Sequence, residues 1–376
     1  MFRNRGRYLH SLPITFGQRA TISPHEAQIY NIIWKYRTLK RILSYIIKYV
    51  LPLILGVGIF VLLYRQFDFN VILSILQTDM NLFWIVCSML IGVCSFLLRA
   101  LRWRLQLRAL NIEPTFGTIC NAIFGTYAFN LILPRFGELW RCTYLANHEN
   151  TSFSRILGSV VSDRLADMVM VIVITATVFL SQISVLYSLL HTYPQIQSNL
   201  HAMITSPWPY IIIAAIVIAV AWLAIGKSNN KWIHKAKNIL AKVWEGIRTI
   251  NSMQGKVQFL IYTILIWGCY LLQLYFCFFA FDWMQDLGIM QALVLFVLGS
   301  IGMLIPVQGG IGPWHAAVIF GLSIYGIGQE KAGAFALVAH GTQMIVTILL
   351  GIYTTIAIFA ERRHGKPIAA NDCSTE

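Results

Sequence analysis

The chain has 376 residues, of which 57% are hydrophobic and only 12% charged, with a mean hydropathy of +0.65. A soluble domain has no interior large enough for that much apolar surface, so the composition excludes one and points to a polytopic membrane protein. The net charge of +14 would suit nucleic acid in a soluble protein; in a membrane protein it marks a basic cytoplasmic face, and no nucleic-acid partner is expected.

Residues 1–41 carry Arg3, Arg5, Arg7, Arg19, Lys35, Arg37, Lys40 and Arg41 with Pro13 and Pro24 and no sustained period. They read as a basic, poorly ordered cytoplasmic arm. No charged-then-apolar leader with a small-residue cleavage site opens the chain. Apolar stretches of roughly spanning length then fall near 42–64, 82–98, 117–133, 156–180, 208–225, 259–281, 289–305 and 333–360. Basic residues orient them. The arm, the connection with Arg99, Arg102, Arg104 and Arg108, and the connection 226–258 with Lys227, Lys231, Lys235 and Lys242 all belong inside.

Between the second and third of these basic regions lies an odd number of apolar stretches, although both ends should be cytoplasmic. The conflict disappears if 117–155 is a re-entrant hairpin turning at Pro134, with 156–180 crossing outward to 181–207, which contains no Lys or Arg. The same count in the second half makes 289–328 a hairpin entering from outside and turning at Pro306. Segment 333–360 then returns a tail, 361–376, with Arg362, Arg363 and Lys366 to the cytoplasm. The expected fold is therefore an all-α membrane protein of six full spans plus two re-entrant helical hairpins. Its half-repeats, about 42–180 and 208–360, have inverted topology, an architecture that many transporters use. Within 231–250, Trp232, Ile239, Val243 and Ile247 share a face opposite Lys231, Lys235 and Lys242. That pattern predicts a basic amphipathic helix on the cytoplasmic leaflet, with a solvated connector as the blander reading.

Polar residues inside such segments are costly and need partners or water. "LPRFGELWR" places Arg135, Glu138 and Arg141 on the return limb of the first hairpin. In "SVVSDRLADMVM", Ser159, Asp163 and Asp167 stand four apart on one helix face, and Arg164 reaches Asp167 three positions on. One reading is a structural ion cluster that pins this helix to the hairpin through Arg135 or Arg141. The other is that the acids orient the arginines toward a lipid phosphate, which a guanidinium grips in a bidentate fork.

"PVQGGIGPWHAAV" supplies Gln308, then Gly309, Gly310 and Gly312 for tight turning, then a helix restart at Pro313 with His315 in its first turn. "AHGTQMIVT" puts His340, Gln343 and Thr347 on one face. A headgroup-binding seam and plain interhelical packing are both open for these residues. The seven cysteines lie mostly in apolar segments without a C-x-x-C pair, so neither disulfide nor metal is expected. No P-loop, H-E-x-x-H or nucleophile elbow occurs, which excludes ATP coupling within the chain and leaves no cofactor to expect.

"LPRFGELWR", "SDRLADM" and "PVQGGIGPWH" together resemble the transmembrane region of the lysylphosphatidylglycerol synthetase/flippase family, over roughly 42–360. The resemblance implies a multi-pass protein of the bacterial inner (plasma) membrane. Its membrane region would translocate lipids such as aminoacylated phosphatidylglycerol, or serve in envelope lipid or glycolipid handling. Two departures bear on that. Family members often carry a glutamate where this chain has His315, and the synthetases add a soluble aminoacyltransferase domain, while this chain ends at Glu376, soon after Ala360. The resemblance thus implies the membrane module alone, without lysyl transfer. The favoured expectation is a flippase-like protein that binds an anionic or zwitterionic phospholipid or glycolipid and moves its headgroup. Both termini would be cytoplasmic, and a second copy or a lipid-modifying enzyme is the candidate protein partner. The alternative is an integral membrane transferase or accessory subunit of envelope lipid synthesis, for which Glu138 and Asp163 would be the acid–base pair; a scaffold without transport is the third.

Overall fold

The computed structural model describes residues 50–133, 135–181 and 253–363, with scattered positions between 198 and 218. The expected arm at 1–41, Pro134, most of segment 208–225, the amphipathic stretch 231–250 and the tail beyond Arg363 lie outside the described residues. Ten helices carry the described chain: α1 Leu51–Tyr64, α2 Phe69–Thr78, α3 Leu82–Arg108, α4 Phe116–Ile132, α5 Phe136–His148, α6 Phe153–Ser181, α7 Lys256–Phe278, α8 Ile289–Gly302, α9 Pro313–Ile324 and α10 Gln329–Arg363. Among the described residues the extended pairing is confined to an isolated Met80–Phe281 bridge.

Local chemistry sets the helix starts. The side chains of Asp68 and Asn81 accept from the backbone N–H of Asn70 and Phe83, and Thr115 accepts from Thr118, each satisfying a donor that the first turn leaves orphaned. Pro313 opens α9, where a missing N–H costs nothing. Helices α3, α6, α7 and α10 are long and apolar enough to cross a membrane. On α6, Met168, Val169, Ile172 and Leu180 are all exposed, an arrangement that acyl chains solvate and water does not.

One feature goes beyond the expected elements, and one expectation needs correction. Helix α1 covers the described part of stretch 42–64 and ends with it at Tyr64; beyond that end α2 turns away by 85°. Tyr64 donates its hydroxyl hydrogen to the Gly333 carbonyl at 3.0 Å, Phe67 packs edge-on against it, and Asp68 caps the new helix. The expectation to correct is that Arg99 and Arg102 lie in a loop. α3 continues to Arg108, and both side chains are buried within it.

Helices α3 and α7 form the most extensive pairing, and they run antiparallel. Along α3, the Asn81 N–H meets the Ala280 carbonyl at 2.8 Å; Ser88 donates to the Gln273 carbonyl at 2.7 Å; Arg99 donates to the Tyr270 hydroxyl; Arg102 donates to Thr263 at 3.3 Å. Partners on α7 thus descend as α3 ascends.

Two helical hairpins flank that pair, α4–α5 and α8–α9, and both close by the same device. A Cβ on Gly125 of α4 would run into the Trp140 indole of α5. A Cβ on Gly299 of α8 would come within 2.7 Å of the Trp314 indole of α9. In each case a glycine on the first limb makes room for a tryptophan on the second. Each hairpin has its own apolar core. One gathers Trp103, Ile119, Ile123, Leu145 and Ile156 around α3–α6; the other gathers Tyr64, Phe278, Leu295, Val318 and Phe335.

Candidate functional site

Asp163 and Asp167 face α3, where they meet the arginines that charge counting assigns to a loop. Arg102, with no solvent exposure, reaches Asp163 at 2.6 Å and Asp167 at 2.9 Å. Arg99 reaches Asp167 at 2.9 Å and lies between the Tyr127 and Tyr270 rings, 5.4 and 5.3 Å from their centroids. Arg141 of α5 stands 3.7 Å from Asp163 and 4.5 Å from the centroid of Trp103, whose indole N–H donates to Ser159 at 3.0 Å. Arg164 turns the other way. It pairs with Glu138 at 2.5 Å and approaches Asp167 at 3.9 Å. Glu138 is held in turn by the hairpin turn, where the Asn130 amide reaches it at 3.4 Å and accepts from the Gly137 N–H at 2.8 Å.

The network therefore joins four helices, α3, α5, α6 and α7. Among the described residues it sets four guanidiniums (Arg99, Arg102, Arg141, Arg164) against three carboxylates (Glu138, Asp163, Asp167). With the acids ionised, one positive charge is left over. Buried charges persist only when paired, so an excess cation next to an open space invites an anion. Arg135 does not join the network. It is exposed, in a left-handed conformation (φ 62°) at the N-cap of α5.

The glycine turn of the second hairpin is built as the sequence suggests. Pro306 leads into a short turn of 3-10 helix, Gln308–Gly310, and Gly309, Gly310 and Gly312 all have positive φ, which side chains resist. His340 of α10 bonds the Gly309 carbonyl at 2.9 Å and stacks on Trp314 with centroids 5.0 Å apart. His315 is buried, its Nδ1 without a partner among the described residues, and stands edge-on to Phe60 and to His340 at 5.2 and 4.7 Å. Thr347 donates back to the Gln343 carbonyl at 2.9 Å. These contacts place the two histidines in aromatic packing.

Between the charge network and the second hairpin lies a cavity of about 220 Å³. It is smaller than the roughly 300–1,000 Å³ of drug-sized ligand pockets. Arg99 and Arg164 supply its cations, with Tyr127 and Tyr270 beside them. Ser300, Met303 and Trp314 enter from the second hairpin and Gln343 from α10. Of the residues singled out from sequence, Arg164 and Gln343 line it; Glu138, Arg141, Asp163, Asp167, His315 and His340 stand behind its wall. Sequence reasoning missed Arg99, Tyr270, Trp267 and Gln273, which also line it. A signal existed for Arg99: it stands three before Arg102 on a stretch that keeps a helical period past the apolar window.

The chain matches the family described as the lysylphosphatidylglycerol synthase TM region over residues 49–351. It belongs to that family. All three strings that carry the resemblance fall inside the matched residues, so the charge network and both hairpins are features of this family member's matched region. Among curated proteins it is similar to the UPF0104 membrane protein PH1989 of Pyrococcus horikoshii, 22% identical over 308 residues, covering 77% of this chain and 90% of that protein. No solved structure matches it.

Proposed function

We propose that this integral membrane protein binds the phosphate of a phospholipid or glycolipid headgroup in the cavity between its hairpins and carries that headgroup across the bilayer. The observation that carries the reading is the excess guanidinium charge beside the cavity, with Arg99 and Arg164 on its wall. A phosphodiester supplies the missing charge and accepts the forked donors of arginine. The protein sits in the plasma membrane with six spans and two re-entrant hairpins in inverted halves, both termini cytoplasmic. The antiparallel α3–α7 pair and the matching glycine–tryptophan closures support that topology.

The transferase alternative asks Glu138 and Asp163 to exchange protons with substrate. Both are engaged by arginines, and neither lines the cavity, which favours transport.

The test is reconstitution into vesicles with a fluorescent phospholipid, followed by chemical quenching of the outer leaflet. The parent protein renders inner-leaflet probe accessible with time; Arg99→Gln and Arg164→Gln, inserted and folded, do not. Quenching identical to that of empty vesicles, or unchanged in both variants, overturns the reading.

A further inference from the structure

Among the described residues of the charge network, one guanidinium has no carboxylate in hydrogen-bond reach, and it is not on the cavity wall. Arg102 holds Asp163 at 2.6 Å, Arg99 holds Asp167 at 2.9 Å, and Arg164 holds Glu138. Arg141, 1% exposed, comes only within 3.7 Å of Asp163. Its Nε and Nη2 have no hydrogen-bond partner among the described residues, a rare state for buried donors. Glu138 is short of a partner too: its Oε1 takes the Arg164 bond, while its buried Oε2 has none among the described residues. Glu138 and Arg141 stand three apart on α5, the spacing at which an acid and a following base meet on one helix face. The present partner of Glu138, Arg164, lines the cavity and its side chain is 37% exposed; Arg141 is not among the lining residues.

Resting on the headgroup reading above, we propose that Glu138 is an internal stand-in for the headgroup phosphate. It occupies Arg164 while the cavity is empty and passes to Arg141 when a phosphate takes its place. In the filled state each guanidinium has an anion of its own: Asp167 for Arg99, Asp163 for Arg102, Glu138 for Arg141 and the phosphate for Arg164. An excess charge behind the wall thereby becomes affinity in front of it. Glu138 can move alone, because the hairpin turn is closed without it. The Gly137 N–H donates to Asn130 Oδ1 at 2.8 Å, whereas the Asn130 amide reaches Glu138 only at 3.4 Å. A phosphate offers Arg164 a two-pronged acceptor, which the single Oε1 contact does not. Holding Glu138 on Arg164 also lowers the apparent affinity for phosphate, since the competent state is only part of the population.

Titration of the purified full chain in detergent with a short-chain phosphatidylglycerol tests the exchange, using Glu138→Gln and Arg141→Gln singly and together. Glu138→Gln frees Arg164 and should tighten binding about fivefold, the upper scale of a partly exposed ion pair. Arg141→Gln removes the receiving cation and should weaken binding about fivefold in the parent, yet change nothing in the Glu138→Gln background. A fixed field of charges gives the same Arg141 effect in both backgrounds, and that additivity refutes the exchange. Weaker or unchanged binding in Glu138→Gln refutes it as well, and marks Glu138 as a fixed partner or a direct ligand. In either case, binding that falls with Arg164→Gln leaves the headgroup reading standing; binding indifferent to both Arg164→Gln and Arg99→Gln sinks the two together. Where Arg141→Gln does not fold, Glu138→Asp decides, since it keeps the charge and shortens the reach to Arg164. Tightening there supports the exchange, and binding equal to or weaker than the parent's refutes it.

Discussion

Asp167→Leu, alone and combined with Arg99→Leu, separates what the charge network does for stability from what it does for lipid. The single change strips Arg99 of its 2.9 Å carboxylate and raises the uncompensated charge by one, while Arg102 retains Asp163 at 2.6 Å. Breaking a buried pair by removing one partner costs about 3–5 kcal/mol. Arg99 keeps its bond to the Tyr270 hydroxyl and both tyrosine faces, so the lower end, about 3 kcal/mol, is expected. The double variant removes both charges, leaves Asp163 and Glu138 paired with their own arginines, and should recover to within about 1 kcal/mol of the parent. It should nonetheless move no lipid, because Arg99 is gone from the cavity wall. Equilibrium unfolding in mixed micelles measures the first quantity and vesicle quenching the second. A single variant within about 0.5 kcal/mol of the parent, or a double variant no more stable than the single, would refute the claim that these pairs hold the helices together.

His340→Ala loses the bond to the Gly309 carbonyl and the stack on Trp314, and should cost about 2 kcal/mol; His315→Phe, among aromatic rings, should stay within about 1 kcal/mol of the parent. Thermal melting in detergent distinguishes them, and equal sensitivity at both positions would contradict the packing described. Gly125→Ala should cost about 1–3 kcal/mol by overpacking against Trp140, and a second change, Trp140→Leu, should recover much of it. Single cysteines in place of the exposed Ser152 and Asp286 should react with an impermeant maleimide from opposite faces of the membrane; reaction from one face would undo the inverted topology.

The hairpins were legible because their cause is local. An L/I-P turn, then glycine and then a tryptophan recur in "LILPRFGELW" and "MLIPVQGGIGPW", and the Trp140 and Trp314 ending those strings are the residues seated on glycine. The spacing of Asp163 and Asp167 likewise announced one helix face. Their partners were not legible. Arg99 and Arg102 follow an apolar run, and counting basic residues treats any such arginine as a loop charge, whereas only the packing of α6 on α3 makes it a buried cation. The bend after Tyr64 was missed for a similar reason: Asp68 is a readable helix cap, but the bond that fixes Tyr64 comes from Gly333, far along the chain. Gln273 and Trp267 gave no signal, since a glutamine or tryptophan on an apolar helix is ordinary until packing sets it beside a cavity.

The charge network also has a history imposed by synthesis. Arg102 and Asp163 are 61 residues apart, and Arg99 and Asp167 are 68. At about 5–20 residues per second, the arginines leave the ribosome roughly 3–14 seconds before the carboxylates that neutralise them. During that interval α3 has no acid to offer its guanidiniums, and their long stems can carry them to the membrane surface. Final seating of α3 therefore waits for α6, and a chain interrupted between the two carries Arg99 and Arg102 without the carboxylates that neutralise them.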